Sequence, residues 1–264
     1  MTKWFHKCDL DWLRERQKYL TATDVKELLP FTKSGRKKTI IDENYLKILA
    51  RKSVGLTESD CISTGATARG HILEPYAIEC CNNTELYPHL YHWDDLIITK
   101  ANHPHFGLAF SPDATNRPMP YDVRRLDKHR FEDDGTISMI GEVKSYSPEH
   151  HMIAGYTNKM DLEERWQIAV AMTVCPSIEE AVLMFYNPSM RNQMYLVEYD
   201  RTDLKNEIDT VINIEQDWLG WLGNLSKLDH SHVVSGINTK EQMIINKIIK
   251  MEELNPEGEK SIIQ

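Results

Sequence analysis

Asp113, Glu142 and Lys144 have residue types and spacing suited to hydrolysis at a phosphate. Ser111-Pro112-Asp113 closes one apolar run, Phe106-Gly107-Leu108-Ala109-Phe110, and Gly141-Glu142-Val143-Lys144 ends a second that begins at Ile137. Side chains alternate along a strand, so Glu142 and Lys144 share one face and Val143 points into the opposite layer. If the two runs pair as neighbouring strands, two acids and a lysine meet. Mg²⁺ prefers hard oxygen ligands and often binds through one or two carboxylates plus a substrate phosphate. Asp113 and Glu142 supply such carboxylates, the Val143 carbonyl is a candidate third ligand, and the Lys144 ammonium can orient or help deprotonate a water and offset phosphate charge. E-x-K is common on surface strands. Here the acids end or interrupt apolar runs, where an uncompensated charge is expensive.

The elements that must position these groups follow from periodicity and punctuation. A short helix is predicted after Thr21 or Thr23, stopped by Pro30. Arg14, Arg16 and Lys18 precede it, and basic side chains beside unpaired helix N–H groups make a phosphate site; the alternative is a solvated charged face. Thr32 to Lys38 is a basic loop, and Tyr45, Leu46, Ile48 and Leu49 predict a helix through Lys52. Val54 to Thr64 is a polar connection. Ala66 to Asn82 should be a helix with Ile72, Leu73, Tyr76, Ala77 and Cys80 on its apolar face and Glu74 beside it, in the local reading a first-turn acid complementing the dipole. Leu96-Ile97-Ile98-Thr99 and Phe106 to Phe110 predict a hairpin or meander.

His103 and His105 flank Pro104, and His150-His151 lie in a second segment expected to be a loop; both pairs suit loop surface better than a metal. Residues 116–136 form a charged insertion expected to lie over the site, with Arg117, Arg124, Arg125, Lys128 and Arg130 able to track a DNA backbone. Leu162 to Val174 reads as a largely buried helix whose polar exception, Gln167, needs partners that a site of acids and phosphate would supply. Ala181 to Tyr186 and Met194 to Tyr199 read as a hairpin, followed by an amphipathic helix over about Asp203 to Leu222. Residues 1–227 are assigned to one domain and 228–264 to a linker and a C-terminal amphipathic helix, a contact for a second subunit or an annealing protein, or a segment packed on its own core.

Composition narrows the classes. The 264 residues can bury a substantial core, and no apolar run approaches the ~20 residues of a membrane span. The N-terminal residues lack the apolar stretch of a secretory signal. Five cysteines without a C-x-x-C pair fit a reducing cytoplasm rather than a disulfide framework. A formal net charge of −9 argues against an open nucleic-acid-binding surface but is compatible with a nuclease whose channel is locally positive.

The ordered set Trp12, Arg16, Thr21-Ala22-Thr23, Gly70-x-x-x-Glu74, Ser111-Pro112-Asp113, Glu142-Val143-Lys144 and Gln167 resembles the YqaJ-type viral recombinase nucleases of the phage lambda exonuclease family. The likeness runs from about Leu10 to Leu225. It implies an α/β PD-(D/E)XK (restriction-endonuclease-like) core, a central mixed sheet flanked by helices. It also implies a metal-dependent 5′→3′ exonuclease on linear duplex DNA that leaves 3′ single strands for annealing. By position, Asp113 and Glu142 match the metal-binding acids, Lys144 the catalytic lysine, Glu74 the acid of the preceding helix and Gln167 the site glutamine. Arg16, Thr23 and Ser111 match the 5′-phosphate receptors.

Mg²⁺, with Mn²⁺ as a substitute, is the implied cofactor. DNA ends, a single-strand annealing protein and further copies of the chain in a trimer are the implied partners. The length of the 116–136 insertion and the C-terminal extension depart from the family pattern at places where subunits could meet. A related endonuclease, a RecB-like end-processing nuclease and a non-catalytic DNA-end-binding module are the alternatives.

Overall fold

In the computed structural model, residues 10–29, 42–54, 65–98, 107–119, 130–132, 134–157 and 162–225 are described. The chain builds a five-stranded sheet from β1 (Tyr91–His92), β4 (Ala114–Thr115), β6 (Met139–Lys144), β7 (Glu180–Tyr186) and β8 (Met194–Asp200), in the order β1-β4-β6-β7-β8. β6 and β7 are parallel and the other neighbours antiparallel, so the sheet is mixed. A parallel pair needs a long crossover. It is made by α5 (Pro148–Thr157) and α6 (Leu162–Val174), the latter with the predicted limits.

Alternation along β6 and β7 sorts their side chains between two layers. Met139, Val143, Val182, Met184 and Tyr186 pack with Ala77, Ile78 and Cys81 of α4 (Gly65–Asn82). Ile140 and Ala181 face the other way, onto the larger core of Ile168 to Met172 and of Ile208, Val211, Ile214 and Trp218 from α7 (Lys205–Leu225). Gly141 lies on the α4 side, where a Cβ would stand 2.6 Å from Met184 Cε and 3.2 Å from the Ala114 Cβ, so the absence of a side chain leaves room on β6 for the side chains that β4 and β7 bring from either side.

A second, three-stranded sheet has the order β3 (Ala109–Phe110), β2 (Leu96–Ile98), β5 (Arg130–Glu132). The first elements among the described residues are three helices, α1 (Leu10–Arg16), α2 (Ala22–Leu28) and α3 (Asp42–Val54). Leu20 bridges Leu108, which ties the α1–α2 turn to the chain entering β3.

Several expectations change. The apolar run before Asp113 pairs with β2, not with the strand of Glu142; β4, the two residues after Asp113, is the neighbour of β6. The 116–136 segment contributes to the sheets, because β5 pairs in parallel with β2 and Phe131 is buried in the larger core; Arg124, Arg125 and Lys128, expected over the site, lie outside the described residues. On α4, Ile72 and Tyr76 are exposed and the buried face runs through Ala77, Ile78 and Cys81. Glu74 is not in the first turn, since the helix begins at Gly65. His150 and His151 are helical, and His151 is fully buried, with Nε2 2.9 Å from the Asn192 carbonyl and its ring against Tyr195. The loop at 32–38, most of the polar connection, His103, His105, Pro30 and everything after Leu225 lie outside the described residues.

Candidate active site

Lys144 is the last residue of β6, so Glu142 and Lys144 reach the sheet end on the face covered by α6, as alternation predicts. Asp113 arrives from the neighbouring edge. Its Oδ2 accepts the Val143 N–H at 2.7 Å, a hydrogen bond that fixes the carboxylate over the E-x-K segment. Glu74 comes from α4 on the opposite side of the sheet. Asp113, Glu142 and Glu74 are all 6–8% exposed, so three acids are held in an environment that disfavours charge without partners.

Lys144 supplies part of that compensation. Its Nζ donates to Glu142 Oε1 at 2.8 Å and to Gln167 Oε1 at 3.0 Å, and the Gln167 amide donates to the same Glu142 oxygen. Burial opposes the ammonium, but Glu142 and Asp113 outweigh it and hold the Lys144 pKa above the ordinary lysine value. Lys144 is therefore a fixed cation in this arrangement. Gln167, the polar exception on α6, is half-buried rather than buried and has charged partners in Lys144 and Glu142.

One cavity of about 490 Å³ gathers these groups: Glu74, Asp113, Glu142, Val143, Lys144 and Gln167 line it, and so do Arg16, Thr23 and Ser111. All nine residues singled out in the sequence border the same space. Ser111 Oγ is buried there without a hydrogen-bond partner among the described residues, an unmet polar group on a cavity that Arg16 also lines. The N-terminus of α2 is less open than expected. Asp24 turns back to accept from Thr21 N–H and Thr21 Oγ1, closing a capping box.

Sequence reasoning missed three neighbours. His71 Nδ1 lies 3.0 Å from Glu74 Oε1, and His92 Nε2 lies 3.5 Å from Glu74 Oε2, so the acid sits between two imidazoles. The i,i+3 spacing of His71 and Glu74 on a helix was a usable signal; the partner on β1 was not. Glu164, one turn before Gln167, is buried and accepts from Tyr146 Oη. Among the described residues, no three His, Cys, Asp or Glu side chains form a ready metal cage. The donor set is two carboxylates and a carbonyl beside an ammonium, with Glu74 behind, and these hard oxygens suit a cation that completes its shell with water and substrate.

The architecture is that of the PD-(D/E)XK fold, with the acids and lysine at one end of a mixed sheet flanked by helices. Among solved structures, the chain is similar to "LHK-Exo in complex with dAMP" at 18% identity and a TM-score of 0.52, covering 83% of this chain and 98% of that one. It is also similar to an alkaline exonuclease (LHK-Exo) from Laribacter hongkongensis, at 17% identity and a TM-score of 0.51 with the same coverage. No protein-family model and no curated protein matches the chain.

Proposed function

We propose that this protein is a metal-dependent deoxyribonuclease that digests linear double-stranded DNA from 5′-phosphorylated ends and leaves 3′ single strands. The observation that carries the reading is the convergence of Asp113, Glu142 and Lys144 on one cavity, with Asp113 bonded to the main chain between the other two. The fold shared with an alkaline exonuclease supports it, as does the resemblance of the ordered motifs to the YqaJ-type family.

Asp113, Glu142 and the Val143 carbonyl would hold Mg²⁺ or Mn²⁺, with Glu74 completing the acidic side. When bound, the ion supplies Lewis-acid activation of the scissile phosphate. The chain's own groups do the rest. Lys144, kept protonated by its acids, offsets charge that develops on the phosphoryl oxygens. Gln167 bridges Lys144 and Glu142 and fixes both before substrate arrives. Arg16, Thr23 and Ser111, on the same cavity, receive the 5′-phosphate and set how far the strand enters.

The same resemblance extends the proposal to phage-type recombination in a bacterial cytoplasm, with a homotrimer and a single-strand annealing protein as partners. Among the described residues no helix is long and apolar enough to cross a membrane. The deciding experiment incubates the full chain with Mg²⁺ and either a linear duplex bearing 5′-phosphates or a covalently closed circle. Loss of the linear substrate only, abolished by EDTA, is expected. Cleavage of the circle would instead mark an endonuclease, and an intact linear duplex in Mg²⁺ or Mn²⁺ would leave an end-binding module.

A further inference from the structure

Behind the cavity wall formed by Arg16 and Thr23, several cations surround one buried acid. Asp24 Oδ2 accepts from Thr21 N–H at 2.8 Å and Thr21 Oγ1 at 2.9 Å, and lies 2.9 Å from Lys52 Nζ. Its other oxygen, Oδ1, lies 3.4 Å from Arg51 Nη2. Lys52 reaches across from α3 and also donates to the Tyr19 carbonyl at 2.6 Å; its side chain is only 8% exposed. Lysine is seldom this buried unless it is paired.

Arg16 differs. Among the described residues it makes no ion pair, and its guanidinium lies over the Trp12 ring at 5.3 Å, lining the cavity. Burial pulls its pKa down, and the nearby Asp24 carboxylate opposes that. Burial also lowers the Lys52 pKa against the pull of Asp24, with Arg16 and Arg51 adding repulsion. Arg16 and Lys52 therefore compete for one carboxylate, and Lys52 has it.

We propose that Lys52 is a positioning residue for anion capture: by occupying Asp24 it keeps the Arg16 guanidinium uncommitted at the cavity, where it receives the terminal phosphate of a DNA end. The identity of the anion rests on the nuclease reading; the competition for Asp24 does not. Without Lys52, Arg16 turns toward Asp24, and an arginine paired with a buried carboxylate has few donors left for phosphate.

The test measures binding, in EDTA, of the full chain to a fluorescent duplex carrying either a 5′-phosphate or a 5′-hydroxyl. The wild type should prefer the phosphate by about tenfold, the scale of one charge-assisted hydrogen bond. Lys52→Met should bring the ratio close to one, and Lys52→Arg should retain it. The double variant Lys52→Met with Asp24→Asn should recover most of the preference, because the competing charge is gone; a folding defect would weaken binding of both duplexes alike and leave their ratio unchanged. A wild-type ratio near one overturns the inference, and so does undiminished preference in Lys52→Met or no recovery in the double variant. A wild type that discriminates phosphate yet degrades no duplex in Mg²⁺ or Mn²⁺ sinks the nuclease reading and leaves the positioning role standing.

Discussion

Asp113 accepts the main-chain N–H of Val143 at 2.7 Å, so one candidate metal-binding acid is hydrogen-bonded to the peptide between Glu142 and Lys144. Position and charge of Asp113 are thus separable by substitution. Asp113→Asn keeps an oxygen for the Val143 N–H and should melt near the wild type, while hydrolysis falls by about 100-fold or more. Asp113→Ala should also lose about 1–3 kcal/mol, because a buried N–H is left without its acceptor. Turnover and denaturant unfolding measured on both variants check this. Full turnover in Asp113→Asn would remove the carboxylate from the reaction.

Lys144 predicts a pH dependence in the metal-free protein. Its folded pKa is raised by Glu142 and Asp113 against the opposing effect of burial. The unfolded state therefore gives up this proton first as pH rises. The stabilisation is complete below the ordinary lysine value of 10.5 and is lost as pH climbs through the folded value. Subtracting the melting curves of Lys144→Met from those of the wild type, in EDTA, should give a difference that is flat at neutral pH and falls above that point. A difference that grows with alkalinity contradicts the arrangement.

Gln167→Leu removes the bridge between Lys144 and Glu142. Turnover should drop by about tenfold or more, with KM for DNA little changed, because the residue fixes reacting groups rather than substrate. Gln167→Glu should be worse, since it places a further carboxylate against Glu142. Steady-state kinetics on linear duplex separates the two effects. A change confined to KM would place Gln167 in DNA binding.

At Gly141, a methyl group would press on the flexible end of Met184 and on the Ala114 Cβ. Gly141→Ala should destabilise by about 1–3 kcal/mol. Part of that loss should vanish when Met184 is first shortened to Ala, as a double-mutant cycle in denaturant would register. Strict additivity of the two substitutions would show that Met184 does not fill the space over Gly141.

Cys81 makes a chemical prediction. Burial, with Cys80 adding to it, pushes its thiol up to about 11. At pH 8, iodoacetamide should modify the partly exposed Cys80 well before Cys81, readable by peptide mass mapping. Equal labelling would mean that α4 does not bury Cys81 as described.

Legibility in the sequence followed element length. Helix α6 has thirteen residues and was predicted with its own limits, and the β7–β8 hairpin carried enough alternation to be placed within a residue. Glu142 and Lys144 inherited that clarity, since a six-residue strand dictates which side chains share a face. Asp113 was harder. The strand that positions it has two residues, too few for any period, and its partner was a non-local choice that the longer apolar run before it disguised.

The first-turn reading of Glu74 and the loop reading of His150-His151 failed for related reasons. The apolar residues Ile72 and Tyr76 turn outward on α4, so counting hydrophobics rotates the helix and misjudges the acid beside them. A pair of histidines looks like loop surface until the Asn192 carbonyl, far along the chain, arrives to accept one of them. Asp24 illustrates the same limit. Its capping role could be read locally, but the lysine that claims it comes from another helix.

The parallel pairing of β6 with β7 bears on how the protein is made. β6 is an interior strand, and its lasting neighbour lies beyond two helices, so Glu142 and Lys144 cannot be rigidly framed until synthesis has passed Tyr186. Such non-local pairing is slow to form compared with helices and hairpins. A chain still short of that point on the ribosome carries the residues of the cavity without their alignment, and the proposed nuclease activity would arise late, with the closing of the sheet.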